Sequence, residues 1–487
     1  MLLLILQVVF AVPLSENVEI ESVLMIARSG ASAPRQPMSS NQAINSWMDN
    51  STVIANGLLP IGKRQIYLLG KQMRKDYSTL VSKMNGTYND YSINSMSVPS
   101  ALGSVQAFVL GFSPDQTTLD WDRYKSTIPI LFPQSGSPDP VSAFKTPLPA
   151  GVKPLRVNLT KDGEVDYLYE LSSPDVCPNV NSKTVESIIA SWNTQFRFFD
   201  SYNKAVQSIE LANSLSYFNQ STILYRSARI FEFVAAQALS GQAPVINSSS
   251  SVYKDLQTSY EAYTMSTLAD RRTLQVVMAP LISDIVNYFR KQANVTAKQR
   301  TRLQVYFGHD KFVLGILTLL NLTTPDCVGA NYSGTKNTNQ PKDCVDFPRP
   351  SANLIFEVYR NILDESRHAR LVYNGKAITK LAGVGDMDER TGLIPLDSLI
   401  KFLNSTDLVV KDWQNECGIM AAEIPNNKDL LIWLFYFSLS TVGLVIILGA
   451  VVWSIYWKSQ GDDSSATVST TNTAEDDMNL DDSLTHS

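Results

Sequence analysis

The stretch Val23-Leu24-Met25-Ile26-Ala27-Arg28-Ser29-Gly30-Ala31-Ser32-Ala33-Pro34 decides how this chain is read. Its first four residues form an apolar run of strand length and β-type composition. Gly30, Ser32 and Pro34 then read as a loop. The pattern predicts a strand with Arg28 at its carboxyl end, where ligands sit in open α/β sheets. A second unit repeats the arrangement. Leu303-Gln304-Val305-Tyr306-Phe307 reads as a strand, and Phe312, Val313, Ile316, Leu317 and Leu320 fall on one helical face. Between them lies Gly308-His309-Asp310. The plain role for Asp310 is an N-cap, and His309 would sit at a helix N-terminus that favours anions.

The first stretch resembles the signature of the histidine acid phosphatases (branch 2 of the histidine phosphatase superfamily), Arg-His-Gly-x-Arg-x-Pro. Arg28, Gly30 and Pro34 match. Ser29 stands where the family has its nucleophilic His, and Ser32 where it has its second Arg. Asn56 to Tyr77 is similar to a second block that carries no chemistry, with Ile61, Gln65, Leu68, Leu69 and Met73 as a helical stripe. Tyr91 to Pro114 resembles a third. Ser95, Ser104, Gln106, Ala107, Phe108 and Gly111 match, but Asn94 replaces a phosphate-clamping Arg, and Ser100 stands where the block has its second Arg. Gly308-His309-Asp310 is similar to the turn in which Asp donates the leaving-group proton and His contacts phosphate. Val372-Tyr373-Asn374-Gly375 and Pro395-Leu396 resemble later blocks, although Ile394 replaces a Cys.

The resemblance implies an α/β fold with a mainly parallel sheet flanked by helices. The sheet domain would comprise residues 16–120 and 295–420, with a helical cap inserted at 121–294. In the cap, Thr184 to Asn213, Arg226 to Leu239 and Tyr253 to Gln292 read as helical, their aromatics as core.

Composition adds a topology. Residues 1–15 open with an apolar run ending near Val12-Pro13 and read as a signal peptide. Leu430 to Trp457 holds no charge over 28 residues. About 20 helical residues cross a bilayer, so residues 430–457 are expected to span it once, with aromatic residues at both ends. Residues 458–487 form a Ser/Thr/Asp-rich tail of net charge −6, expected to be disordered. The remaining chain carries a net charge of +1, which argues against nucleic acid. Nine Asn-x-Ser/Thr sequons precede the span, at Asn50, Asn85, Asn158, Asn219, Asn247, Asn294, Asn321, Asn331 and Asn404. The reading is a single-pass type I glycoprotein of the secretory route, at the cell surface or in a lysosome-like compartment. The lipid bilayer is its expected partner, with a protein or anionic ligand and a homodimer as further possibilities.

Four cysteines in an exported domain suggest two disulfides, with three connectivities open. Resemblance to the family's long-range bridge implies Cys177–Cys417. Cys327–Cys344 is expected beside it, because it closes a short loop that could form almost regardless of fold. No cysteine–histidine cluster has metal-ligand spacing, and no cofactor is expected.

Phosphoryl transfer through a covalent intermediate needs an activated nucleophile and cations fixed around the transferring oxygens. The matched site keeps Arg28, His309 and Asp310. Two missing Arg groups remove ~3–6 kcal/mol of charge-assisted binding, and a lost nucleophile costs on the order of 10⁴–10⁶ in rate. Ser29 would need a base, for which only His309 is placed. Three functions follow. The first is a catalytically impaired pseudophosphatase serving as a binding or scaffold ectodomain. The second is an acid phosphatase hydrolysing phosphate monoesters with an unusual site. The third is a receptor for an anionic ligand clamped by Arg28 and His309.

Overall fold

In a computed structural model, the first stretch forms β1 (Val18–Arg28). Its apolar residues from Val23 to Ala27 are fully buried. The structure describes residues 17–34, 55–84, 90–112, 157–159, 177, 179, 223–240, 246–268, 270–294, 300–324, 327, 344–405, 407–408, 410–418 and 427–461. The expected signal peptide, the Thr184–Asn213 helix and the sequons at Asn50, Asn85, Asn219 and Asn331 lie outside these residues. So does most of the tail. The chain divides into two units, Met1–Ile419 and Met420–Ser487.

In the first unit, β1 is followed by α1 (Pro60–Asp76), α2 (Ser78–Ser82), β2 (Tyr91–Ser95), α3 (Pro99–Phe112) and β3 (Val157–Asn158). Next come α4 (Ile223–Leu239), α5 (Ser251–Ser266), α6 (Arg271–Ala293), β4 (Leu303–Gly308) and α7 (Asp310–Leu319). Then follow β5 (Asn353–Asn361), β6 (Arg367–Tyr373), β7 (Lys376–Ala377), β8 (Leu393–Pro395), α8 (Leu396–Leu403) and α9 (Trp413–Cys417). The strands join in the order β3-β2-β4-β1-β5-β6-β7, and β8 also pairs with β6.

The sheet is mixed, not mainly parallel as the resemblance implied. Among the described residues, β1–β4, β2–β4 and β2–β3 are parallel. The pairs β1–β5, β5–β6, β6–β7 and β6–β8 are antiparallel. The reason is local. The short connection from Asn361 to Arg367 can close only an antiparallel hairpin, because a parallel neighbour needs a long crossover.

Alternation along the strands gives the sheet two apolar faces. Val23, Met25, Ala27, Val305 and Phe307 form one core with α1 and α3. Leu24, Ile26, Tyr306 and Phe356 form the other with the helices from α4 to α8. On α1 the buried face differs from the expected stripe. Gly62, Ile66, Gly70 and Met73 are buried, whereas Ile61 and Leu68 are exposed. The glycines set this rotation. A Cβ at Gly70 would fall 2.4 Å from the Phe108 carbonyl oxygen, and one at Gly62 would fall 2.1 Å from that of Ala31. Close backbone approach, more than side-chain volume, fixes the helix.

The predicted Tyr253–Gln292 helix is two helices. Ser250 caps α5 by accepting from Tyr253 N at 3.2 Å, and Asp270 caps α6 by accepting from Thr273 N at 2.7 Å. Such oxygens satisfy orphan amides and mark new helix starts. Both implied disulfides, Cys177–Cys417 and Cys327–Cys344, are formed.

The second unit contains α10 (Asn427–Gly461). Its stretch Tyr436–Tyr456 is 21 residues long with mean hydropathy 2.2. At ~1.5 Å per residue this matches a ~30 Å hydrocarbon core. By length and composition, it is a candidate membrane-crossing helix.

Candidate functional site

The two strand ends predicted to carry the site are neighbours. Arg28 on β1 lies in register with Gly308 on β4. His309 therefore leaves the sheet beside Arg28, and α7 begins at Asp310. Arg28 Nη2 lies 3.8 Å from Asp310 Oδ2, and His309 Nδ1 lies 3.9 Å from Asp310 Oδ1. Residues some 280 positions apart thus share one carboxylate.

Scaffold residues of the matched blocks hold the Arg28–Pro34 loop. Gly30 N donates to Ser104 Oγ at 3.2 Å, and Ala31 N to Gln65 Oε1 at 3.1 Å. Gly30 and Gly62 meet backbone to backbone, since a Cβ on Gly30 would fall 2.5 Å from Gly62 O. Ser32 forms an antiparallel bridge with Leu58. The block without chemistry in the sequence therefore shapes the loop that would carry it.

Ser29, Asn94 and Ser100 are each engaged in hydrogen bonds to their neighbours. Ser29 is buried, and its hydroxyl donates to the Gly308 carbonyl at 3.0 Å. Asn94 donates to Val305 O at 3.3 Å and Ser92 Oγ at 3.4 Å, and accepts from Asn158 at 3.1 Å. Its side chain ties adjacent strands together. Ser100 bonds Asn56 Oδ1 at 3.2 Å. Asp310 is the first residue of α7 and not its N-cap. His309 occupies the cap position without a side-chain cap bond.

Tyr260, on α5, lies on a stripe whose aromatics are expected to be core, and it does more than fill space. Its hydroxyl donates to Asp310 Oδ2 and accepts from Arg28 Nη2 at 3.3 Å. Arg28 Nη1 donates to the Pro348 carbonyl oxygen. Arg349, next in the chain, pairs with Glu261 at 2.8 Å. The available signal was chemical. A tyrosine on a buried stripe needs a partner for its hydroxyl. Tyr373 donates to Asp346 O at 2.9 Å. Burial raises its phenol above the ordinary tyrosine range, against the opposing pull of Arg28 and Arg349.

Of the sequons described, Asn247, Asn294, Asn321 and Asn404 are exposed. The Asn158 amide is half-buried and donates to both Ser92 and Asn94 at 3.1 Å. Among the described residues, no group of three or more His, Cys, Asp or Glu is arranged to hold a metal ion.

A strand-end arginine beside a strand–His–Asp–helix turn, in a mixed sheet layered by helices, defines a phosphatase-type α/β fold. The sequence profile of the histidine phosphatase superfamily (branch 2) matches residues 19–374, and the chain belongs to that family. Among solved structures, the Hafnia alvei phytase in complex with tartrate is similar, at TM-score 0.54 and 13% identity, covering 83% of this chain and 99% of its own. The Citrobacter braakii phytase aligns at TM-score 0.52 and 13% identity, covering 81% and 100%. The Bifidobacterium longum multiple inositol polyphosphate phosphatase in complex with inositol hexasulfate aligns at TM-score 0.51 and 12% identity, covering 82% and 95%. At these identities the likeness is one of fold. No curated protein matches the chain significantly.

Proposed function

We propose that this chain is a membrane-anchored histidine-phosphatase-fold glycoprotein whose site no longer transfers phosphoryl groups and whose ectodomain serves binding or scaffolding. The observation that supports this most is the mutual satisfaction of Arg28, Asp310 and Tyr260. A working site would need that arginine aimed at phosphate oxygens and that acid aimed at a leaving group. Ser29 is a poor substitute nucleophile, because its hydroxyl proton is committed to a backbone carbonyl and not to a base. The segment 121–294 acts as a helical cap in this reading. An N-terminal signal and the apolar helix near the C-terminus give a type I orientation in the secretory pathway. The two disulfides and that helix are compatible with this route.

The second reading is a phosphatase acting on phosphate monoesters. Likeness to phytases and to an inositol polyphosphate phosphatase favours it over the first on fold alone. The test is hydrolysis of p-nitrophenyl phosphate by the full-length protein in detergent micelles, beside Asp310→Asn. We expect no turnover above background in either. Wild-type turnover that drops sharply in Asp310→Asn overturns the non-catalytic reading, since a proton donor matters only when a leaving group departs.

A further inference from the structure

We propose that the Arg28–Asp310 site is an oxyanion-binding site held shut from within by a two-part gate, Tyr260 on α5 and the strap of residues 344–352. The inference rests on reading Arg28 and His309 as the remnant of an anion clamp. It adds the residues that control access to that clamp.

The Tyr260 hydroxyl lies within hydrogen-bond reach of the cation and the acid at once. A phosphate oxygen accepting from Arg28 Nη2 would need the place that the hydroxyl oxygen holds. The strap supplies the other half. Cys344 is tied to Cys327 beyond α7, and Ser351 N donates to Ser29 O at 3.1 Å, so both ends are fixed. Between them three consecutive residues each close one part of the site. Phe347 packs edge-on against the Tyr260 ring at 5.9 Å between centroids. Pro348 takes up a second Arg28 nitrogen through its carbonyl oxygen. Arg349 pairs with Glu261, the neighbour of Tyr260 on α5.

The Arg349–Glu261 pair has the form of a latch. The Arg349 side chain is 51% exposed and that of Glu261 only 9%. A dianion approaching from solvent therefore meets Arg349 first. Glu261 also accepts from Gln257 at 2.9 Å, so releasing Arg349 does not leave a bare buried carboxylate. Once Arg349 turns to the ligand, α5 and the strap lose the ion pair between them. Tyr260 can then yield Arg28 as a second cation. Binding energy spent on opening lowers the apparent affinity by the fraction of molecules that stand open.

The test is calorimetric titration of inorganic phosphate into full-length protein in detergent micelles. Glu261→Gln keeps size and the Gln257 contact but removes the latch charge. Tyr260→Ala removes the plug. If the closed form dominates, phosphate binds Tyr260→Ala about tenfold or more tightly than wild type, and Glu261→Gln several-fold more tightly. Adding Arg28→Ala to either variant abolishes the gain. Equal phosphate affinity in wild type and Glu261→Gln overturns the gate, and so does a gain that survives Arg28→Ala. Glu261→Gln decides alone if Tyr260→Ala fails to fold. Hydrolysis measured on the same samples is judged separately. Wild-type turnover removes the non-catalytic reading without touching the gate, whereas wild-type phosphate affinity equal to that of the variants removes only the gate.

Discussion

Two clusters of arginine, carboxylate and tyrosine each include an arginine of the sheet, and they are built differently. In the first, Arg370 on β6 faces Glu357 on β5 as a cross-strand pair. Arg370 Nε donates to Glu357 Oε2 at 2.6 Å, and Tyr77 and Tyr359 donate to the same carboxylate at 2.8 and 3.1 Å. Arg370 Nη2 also donates to the Tyr359 hydroxyl at 2.9 Å. Each charge is buried and met at short range. In the second cluster Arg28 and Asp310 stand 3.8 Å apart, bridged by Tyr260 from another element, and Arg28 is partly exposed. The first has the geometry of a structural tie. In the second the cation and the acid are held apart, and a tyrosine hydroxyl stands between them. An ion pair in a sheet is informative about function only when its partners are not already its best partners.

The comparison breaks most visibly if the two arginines cost the same to remove. Arg370→Met leaves Glu357 buried without its cation and should destabilise by ~3–5 kcal/mol. Arg28→Met leaves Asp310 with the Tyr260 hydroxyl and the Lys311 amide, and should cost ~1–2 kcal/mol. Urea unfolding of both variants measures this, and equal losses would erase the distinction.

Double-mutant cycles sharpen it. The Glu357–Arg370 coupling should lie near the upper end of measured values, ~3 kcal/mol, and the Arg28–Asp310 coupling near ~0.5 kcal/mol. The reverse order would mean that the second cluster is the structural tie.

The smallest effect is a pH dependence. Burial, followed by the Glu357 charge, holds the Tyr77 phenol well above its ordinary value. Burial does the same for Tyr359. These phenols stay protonated in the folded state while the unfolded chain loses their protons near pH 10. The unfolded state then binds fewer protons, so stability present below pH 10 falls as pH rises beyond it. Tyr77→Phe removes one such contribution. It should reduce the stability lost between pH 9 and 11 by ~1 kcal/mol, read from unfolding midpoints at each pH. An unchanged slope would mean that Tyr77 ionises alike in both states.

Much of the fold was legible without coordinates because its signals are local. A strand run ending in Arg28 and a strand–Gly-His-Asp–helix unit are each set by a few neighbouring residues. So are the apolar run near the C-terminus and the substitution of Ser29 for a histidine. The β5–β6 hairpin that helps make the sheet mixed is equally local, closed by a short connection, although the family resemblance implied a mainly parallel sheet. The stripe on α1 misled because periodicity counts apolar side chains, whereas Gly62 and Gly70 bury by having none.

The sequence by itself determined the family scaffold and which residues, Ser29, Ser32 and Asn94, stand at the positions where the family resemblance implies a nucleophile and two clamping arginines. Those are facts of residue identity at positions fixed by short motifs. Only the tertiary structure decided what the surviving charges do. Tyr260 and Pro348 reach Arg28 from 232 and 320 residues away. Asn94 turns to its strand neighbours because β2 lies between β3 and β4. No local pattern encodes such partners, because they follow from which layers pack together and where the chain's distant ends of strands converge.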